Sequence, residues 1–251
     1  MALYQILFSP TGGTARAAAL LAEGMGETAA IVDLCDPAFV PAAFQKGDVC
    51  LVAVPAYGGR VPALAARRFG ACRGNGARAV VVAVYGNREY EDTLVELQDL
   101  AEAAGFTVAA GVAAVAEHSI VREFGGGRPD TEDAAVLRDM GRRMRRLLAE
   151  KNAGTPVLPG NRPYRECHLM PIGIHVSGDC TGCGLCAQKC PAGAIDPSAP
   201  SLPAQESCIS CMRCVAVCPV GARTVDPAKI AALKEMIGPA CRERKENHLF
   251  W

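Results

Sequence analysis

Cys180-Thr-Gly-Cys183-Gly-Leu-Cys186-Ala-Gln-Lys-Cys190-Pro191-Ala-Gly-Ala returns 28 residues later as Cys208-Ile-Ser-Cys211-Met-Arg-Cys214-Val-Ala-Val-Cys218-Pro219-Val-Gly-Ala. So strict an internal repeat marks a duplicated unit, and it holds eight of the 13 cysteines. Cys35, Cys50, Cys72 and Cys167 are scattered upstream, and Cys241 stands alone near the end; these five read as buried thiols or neutral surface residues. A reducing compartment does not sustain structural disulfides, and crowded cysteines there more often hold metal. The spacing divides the chain into two modules of different chemistry.

Upstream of the repeat, apolar runs alternate with helical patterns between residues 1 and 151, as in a parallel sheet with crossover helices. Strands are expected at Leu3 to Phe8, Thr28 to Asp33, Asp48 to Pro55, Arg78 to Tyr85 and Phe106 to Val115. The third and fourth are apolar without alternation, which marks strands covered on both faces. Helices are expected at Thr14 to Met25, Pro62 to Phe69, Glu91 to Ala104 and Thr131 to Glu150; the connection between strands two and three has no clear helical pattern. The arginines of the last helix, Arg138, Arg142, Arg143, Arg145 and Arg146, read as a solvated face. Residues 152–166, rich in proline and glycine, read as a linker. Residues 167–227 then form the cysteine module, and 228–251 a terminal helix and tail, with Ala228 to Ile237 at helical spacing and expected to pack on one of the modules.

The 251 residues carry 26 basic and 26 acidic side chains with 50% hydrophobic content, a composition for one or two compact domains. A zero net charge gives no field to gather nucleic acid or an anionic membrane. The start, Met1 to Phe8, reads as a strand rather than a secretory signal, and no apolar run is long enough to span a bilayer, so a cytoplasmic location is expected.

Ser9-Pro10-Thr11-Gly12-Gly13-Thr14-Ala15 follows the first strand and opens a helix. Free amides at a helix start, with the Ser9, Thr11 and Thr14 hydroxyls, can cage a phosphate dianion without lysine. Neither G-x-x-x-x-G-K-[ST] nor G-x-G-x-x-G after a strand is present, which argues against a nucleotide hydrolase of the P-loop type and against direct nicotinamide binding. Two further loops leave the carboxyl ends of strands: Pro55-Ala56-Tyr57-Gly58-Gly59-Arg60-Val61-Pro62 and Tyr85-Gly86-Asn87-Arg88-Glu89-Tyr90.

Ser9 to Thr14 resembles the flavodoxin phosphate loop, [ST]-x-T-G-x-T, with Gly13 where asparagine is frequent. The resemblance implies a doubly wound α/β domain with a five-stranded parallel sheet in order 2-1-3-4-5 and FMN at the carboxyl ends of the strands. By that likeness Ser9, Pro10, Thr11, Gly12, Gly13 and Thr14 hold the phosphate. The loops after strands three and four bracket the isoalloxazine ring, with Tyr57 or Tyr90 stacking on it and Ala56, Gly58, Gly59, Tyr85, Gly86 and Asn87 beside it. Arg60 and Arg88 either lie near the ring's N1 and C2 oxygen or face solvent. His118, in Glu117-His118-Ser119, either passes a proton to the reduced flavin, contacts the partner module or makes a structural hydrogen bond. Gly125-Gly126-Gly127 is a flexible loop, as lid or as spacer.

Each half of the cysteine repeat, C-x-x-C-x-x-C-x-x-x-C-P, is similar to bacterial ferredoxins with two [4Fe-4S] clusters, which implies a small α+β domain and crossed ligand sets. Cys180, Cys183, Cys186 and Cys218 then hold one cluster, and Cys208, Cys211, Cys214 and Cys190 the other. Zinc also binds C-x-x-C pairs, but two zinc sites require neither the third cysteine nor C-P in both halves. Small residues beside the ligands, Gly182, Gly184, Gly193, Ser210 and Gly221, let backbone amides reach the sulfurs. The whole resembles a flavodoxin fused to a two-cluster ferredoxin, a family of anaerobic bacteria and archaea. This implies electron relay between FMN and the clusters, with ferredoxin-dependent or flavin-dependent oxidoreductases as redox partners. The alternative is an FMN-dependent reductase of a small oxidised substrate, fed by its own clusters.

Overall fold

A computed structural model of the chain describes residues 2–149, 154–167 and 172–251. The amino-terminal half is built from β1 (Leu3–Leu7), α1 (Gly13–Met25), β2 (Ala29–Asp33), β3 (Val49–Pro55), α2 (Ala63–Gly70), β4 (Arg78–Tyr85), α3 (Thr93–Ala103), β5 (Thr107–Val115) and α4 (Thr131–Ala149). The strands lie parallel in the order β2-β1-β3-β4-β5, the doubly wound arrangement expected from the sequence. Glu150, where the last helix was expected to end, and residues 152–153 of the linker lie outside the described residues.

The burial pattern explains the strand reading. Every residue of β3 except Pro55 is buried, as is every residue of β4 except Arg78, because helices cover both faces. Phe8, Leu34, Phe69, Leu94, Leu97 and Phe106 pack on the side of α2 and α3; Leu20, Leu21, Leu137, Met140 and Met144 pack on the side of α1 and α4. Between β2 and β3 residues 34–47 form no helix, in a stretch interrupted by Pro37 and Pro41. Phe44 is nevertheless buried, and its amide donates to the Arg73 carbonyl at 2.8 Å.

The second half adds β6 (Ile174–Val176), α5 (Leu185–Gln188), α6 (Arg213–Ala216), β7 (Arg223–Val225), α7 (Pro227–Cys241) and β8 (His248–Phe250). β6 and β7 pair antiparallel, and the repeat's two short helices lie between them. α7 packs Leu233, Ile237 and Cys241 into the core of this module. The chain then returns: β8 pairs antiparallel with β5 and becomes a sixth strand on the first module's sheet, which the sequence did not announce. The described part of the linker is a strap. Arg162 pairs with Asp99, the Arg165 amide donates to Asp92 Oδ2 at 2.7 Å, and Leu158 packs into the sheet's core.

Candidate functional site

A cavity of about 630 Å³ opens at the carboxyl ends of β1, β3, β4 and β5, the edge where a doubly wound sheet places its ligand. Of the residues expected to hold a flavin, Pro10, Thr11, Gly13, Thr14, Ala56, Tyr57, Gly58, Tyr85 and Gly86 line it. Ser9, Gly12, Gly59, Asn87 and Tyr90 do not. Ser9 acts beneath the surface: its Oγ accepts from the Ala15 amide at 2.9 Å and caps the helix start. Gly12 precedes α1 in a left-handed conformation, φ 94°, which turns the chain into the helix. The first amides of α1 have no partner within the helix, so the Thr11 to Thr14 turn offers donors to the cavity.

Of the two tyrosines expected to stack on the ring, Tyr57 lines the cavity; Tyr90 instead packs on Tyr85, ring centroids 5.2 Å apart, and joins the main core. Burial pushes the Tyr57 phenol well above its usual range, and the neighbouring Cys211 and Cys35 add to that. The Cys211 proximity brings the cysteine module to the edge of the cavity.

Asn87 does not line the cavity, and its side chain is committed to the carboxyl-terminal tail. Its Nδ2 donates to the carbonyls of Cys241 at 3.0 Å and Glu243 at 2.9 Å, and its Oδ1 accepts from the Lys245 amide at 3.0 Å. The Arg128–Asp133 pair behind it is buried, and Asn247 bridges the Asp133 carboxylate to the Val115 amide. Asn87 is therefore the clamp that fastens the tail and positions α7. Arg60 also faces away, fixed by Glu96 at 2.7 Å and stacked over Tyr164. Arg88 lines the cavity and pairs with Glu91 at 2.5 Å.

His118 lines the cavity with its Nδ1 turned inward, accepting from the amides of Ile120 at 3.2 Å and Val121 at 3.0 Å. Burial, reinforced by the Arg88 charge, lowers its pKa to about 4. The ring is therefore neutral near pH 7 with its proton on Nε2, a hydrogen-bond donor rather than a general acid. Gly86 is required beside it, since a Cβ there would stand 2.6 Å from His118 Cδ2.

The far wall was not foreseen. Ile172, Ile209, Ser210, Leu233, Met236, Ile237 and Ala240 come from the cysteine module and α7. The only local signal was the helical spacing after Pro227, which says nothing of what the helix covers.

In the cysteine module, Cys190, Cys208, Cys211 and Cys214 surround one small cavity of about 20 Å³, although Cys190 belongs to the other half of the repeat. The loops bend alike: Gly182, Gly184, Gly193 and Gly221 have left-handed backbone, and so do Ser210 and Met212 at the second-half counterparts of Gly182 and Gly184. That bend points amides at sulfur. Cys218 is held below its usual range because the amide donors of Arg223, Val220, Ala222 and Gly221 outweigh its desolvation, and the Ala194 amide donates to Cys190 Sγ at 3.3 Å. Thiols grouped in this way with amide donors suit an iron–sulfur group. Cys183 is exposed, whereas Cys190, Cys211 and Cys214 are buried.

The sequence profile of the 4Fe-4S dicluster domain matches residues 179–223. No curated protein sequence matches the chain. Among solved structures the chain is similar to two-electron reduced Megasphaera elsdenii flavodoxin, at 16% identity over 56% of this chain and 98% of that one, with a TM-score of 0.38. It is also similar to rubredoxin oxygen:oxidoreductase from Desulfovibrio gigas (16% identity, TM-score 0.38) and to a flavodiiron core from Synechocystis (14%, 0.38), in each case over 59% of this chain and 35% of the other. Such likenesses name neither cofactor nor partner. The parallel strand order and the profile match together describe a doubly wound domain of flavodoxin topology joined to a 4Fe-4S dicluster-type domain.

Proposed function

We propose that the chain is an electron-transfer protein that relays electrons between FMN in the large cavity and two [4Fe-4S] clusters on the cysteine repeat. One observation carries the reading: Ile209 and Ser210, between the ligand candidates Cys208 and Cys211, line both cavities, so a single loop separates them. FMN takes up two electrons and releases them singly, while each cluster carries one.

The protein's own groups divide the work. Thr11, Gly13 and Thr14 bind the phosphate at the start of α1, and Tyr57, Gly58 and Gly86 bracket the ring. His118, neutral near pH 7, would offer the ring a hydrogen-bond donor rather than a proton. Leu233 and Ile237 of α7, with Ile172 and Ile209, give the cavity an apolar wall on its far side, and Met236 and Ala240 of the same helix line it while exposed to solvent. That wall, part of it from the cysteine module, favours relay over reduction of a small substrate, which would need one flavin face open. Cys180, Cys183, Cys186 and Cys218 hold the outer cluster, where exposed Cys183 meets a redox partner protein. Cys190, Cys208, Cys211 and Cys214 hold the inner one.

The test is an anaerobic reductive titration of freshly purified protein, followed by visible absorption and paramagnetic resonance. About four electrons per chain, with cluster signals and a bleaching flavin band, is the expected result. About two electrons and no flavin band would refute the flavin half of the reading.

A further inference from the structure

The cysteine repeat meets the first module through the ligand-bearing loops of its inner half. Pro191 follows Cys190, and its carbonyl accepts from Arg68 Nη2 at 3.0 Å, while Arg68 Nη1 donates to the Leu34 carbonyl at 2.7 Å. Ala192 and Ile209, the latter next to Cys208, pack against the core on the side of α2 and α3. Arg213 lies between Cys211 and Cys214, and its Nη1 donates to the carbonyls of Ser9 at 3.1 Å and Pro10 at 3.3 Å. The counterparts 28 residues away differ: Pro219, Val220 and Thr181 are exposed, and Leu185 takes the place of Arg213 with nothing to donate.

Ser9 and Pro10 begin the turn that carries Thr11, Gly13 and Thr14. Ser9 is held from three directions: its amide donates to Cys35 Sγ, its Oγ accepts from the Ala15 amide and its carbonyl accepts from Arg213. Pro10 has no amide proton, so its carbonyl is its only backbone group able to hydrogen-bond, and Arg213 takes it. The free amides of the turn must converge on one phosphate, so their aim depends on where Ser9 and Pro10 are held. Arg213 itself opens α6, a helix of four residues that is too short to be stable alone. Ligation at Cys208, Cys211 and Cys214 orders that segment, because metal binding and ordering of the ligand loop are one equilibrium.

Resting on the flavin and cluster readings above, we infer that Arg213 is a positioning residue that couples the two cofactor sites. When Cys190, Cys208, Cys211 and Cys214 hold their iron–sulfur group, Arg213 sets the phosphate turn for FMN, and Arg68 keeps the two modules in register at the same contact. By linkage, FMN favours retention of the inner group by the same factor. The outer half carries Leu185 at this place, so FMN affinity follows occupancy of the inner set. A chain without its inner group is a poor acceptor of flavin, and the two ends of the relay are assembled together.

The experiment measures FMN affinity of the full chain by anaerobic fluorescence titration, iron-free and after loading with iron and sulfide. Native protein is compared with Arg213→Leu, which installs the residue of the outer half, and with Arg213→Lys and Arg68→Leu. Loading should tighten FMN binding to native protein by about 10-fold. Loaded Arg213→Leu should bind FMN as weakly as iron-free native protein and gain little from loading, whereas Arg213→Lys, which still donates to the carbonyls, keeps much of the gain. A merely structural role would weaken FMN binding equally in both states. That equal loss, equal affinity of the two native states, or native affinity in Arg213→Leu of full iron content overturns the inference. If Arg213→Leu does not hold its iron, Arg68→Leu decides: it leaves the repeat unchanged, its gain from loading should fall, and an undiminished gain overturns the coupling. Native protein that binds no FMN in either state refutes the flavin reading, and one that takes up no iron refutes the cluster reading; either result takes the coupling with it.

Discussion

Asn87→Ala tests the clamp between the two halves of the molecule. The side chain makes three well-formed hydrogen bonds to the tail, to the carbonyls of Cys241 and Glu243 and from the amide of Lys245. At about 1 kcal/mol net for each, their loss weakens docking of the tail by about 3 kcal/mol. Since 1.4 kcal/mol is a factor of ten, the opening equilibrium of the tail rises by about 100-fold. The readout is hydrogen exchange at residues 248–250, which pair with β5 and should exchange faster by about that factor, while amides of β3 and β4 are unchanged. Asn87→Gly accepts the native φ of 60° without strain and should loosen the tail nearly as much, because hydrogen bonds rather than backbone conformation carry the docking. Native exchange at residues 248–250 in both variants would refute this account of Asn87.

Three further outcomes are expected. His118 has a folded pKa of about 4 against an ordinary 6.5, so between those values the unfolded chain binds the extra proton. Its contribution is complete above pH 6.5 and falls away toward pH 4; melting temperature against pH should show this slope, and His118→Gln should lack that part of it. Thr11→Ala combined with Thr14→Ala should weaken FMN binding in a fluorescence titration and leave iron content unchanged. Gly86→Ala drives a Cβ into the His118 ring and should destabilise the fold by about 1–3 kcal/mol in denaturant unfolding, as overpacking does.

The sheet was legible because its signals are local. Val49 to Val54 and Ala79 to Val84 lack alternation since helices cover both faces, and that is visible in the residues themselves. The cysteine loops were legible for the same reason, as the spacing itself sets the bend. His248-Leu249-Phe250 was not: three residues have no readable period, and their strand exists only because β5 offers an edge. The clamp made by the Asn87 side chain was not legible, because its partners lie about 150 residues downstream, where no local pattern connects them.

The central claim is that electrons pass between the flavin and the clusters through the inner cysteine set. The direct measurement is anaerobic rapid mixing of the FMN-loaded, iron-loaded chain with a reduced ferredoxin, following flavin bleaching in native protein and in Cys211→Ser. The account predicts that Cys211→Ser retains FMN while its bleaching slows to the rate of iron-free protein. Bleaching at the native rate in Cys211→Ser that has lost the inner cluster would contradict it.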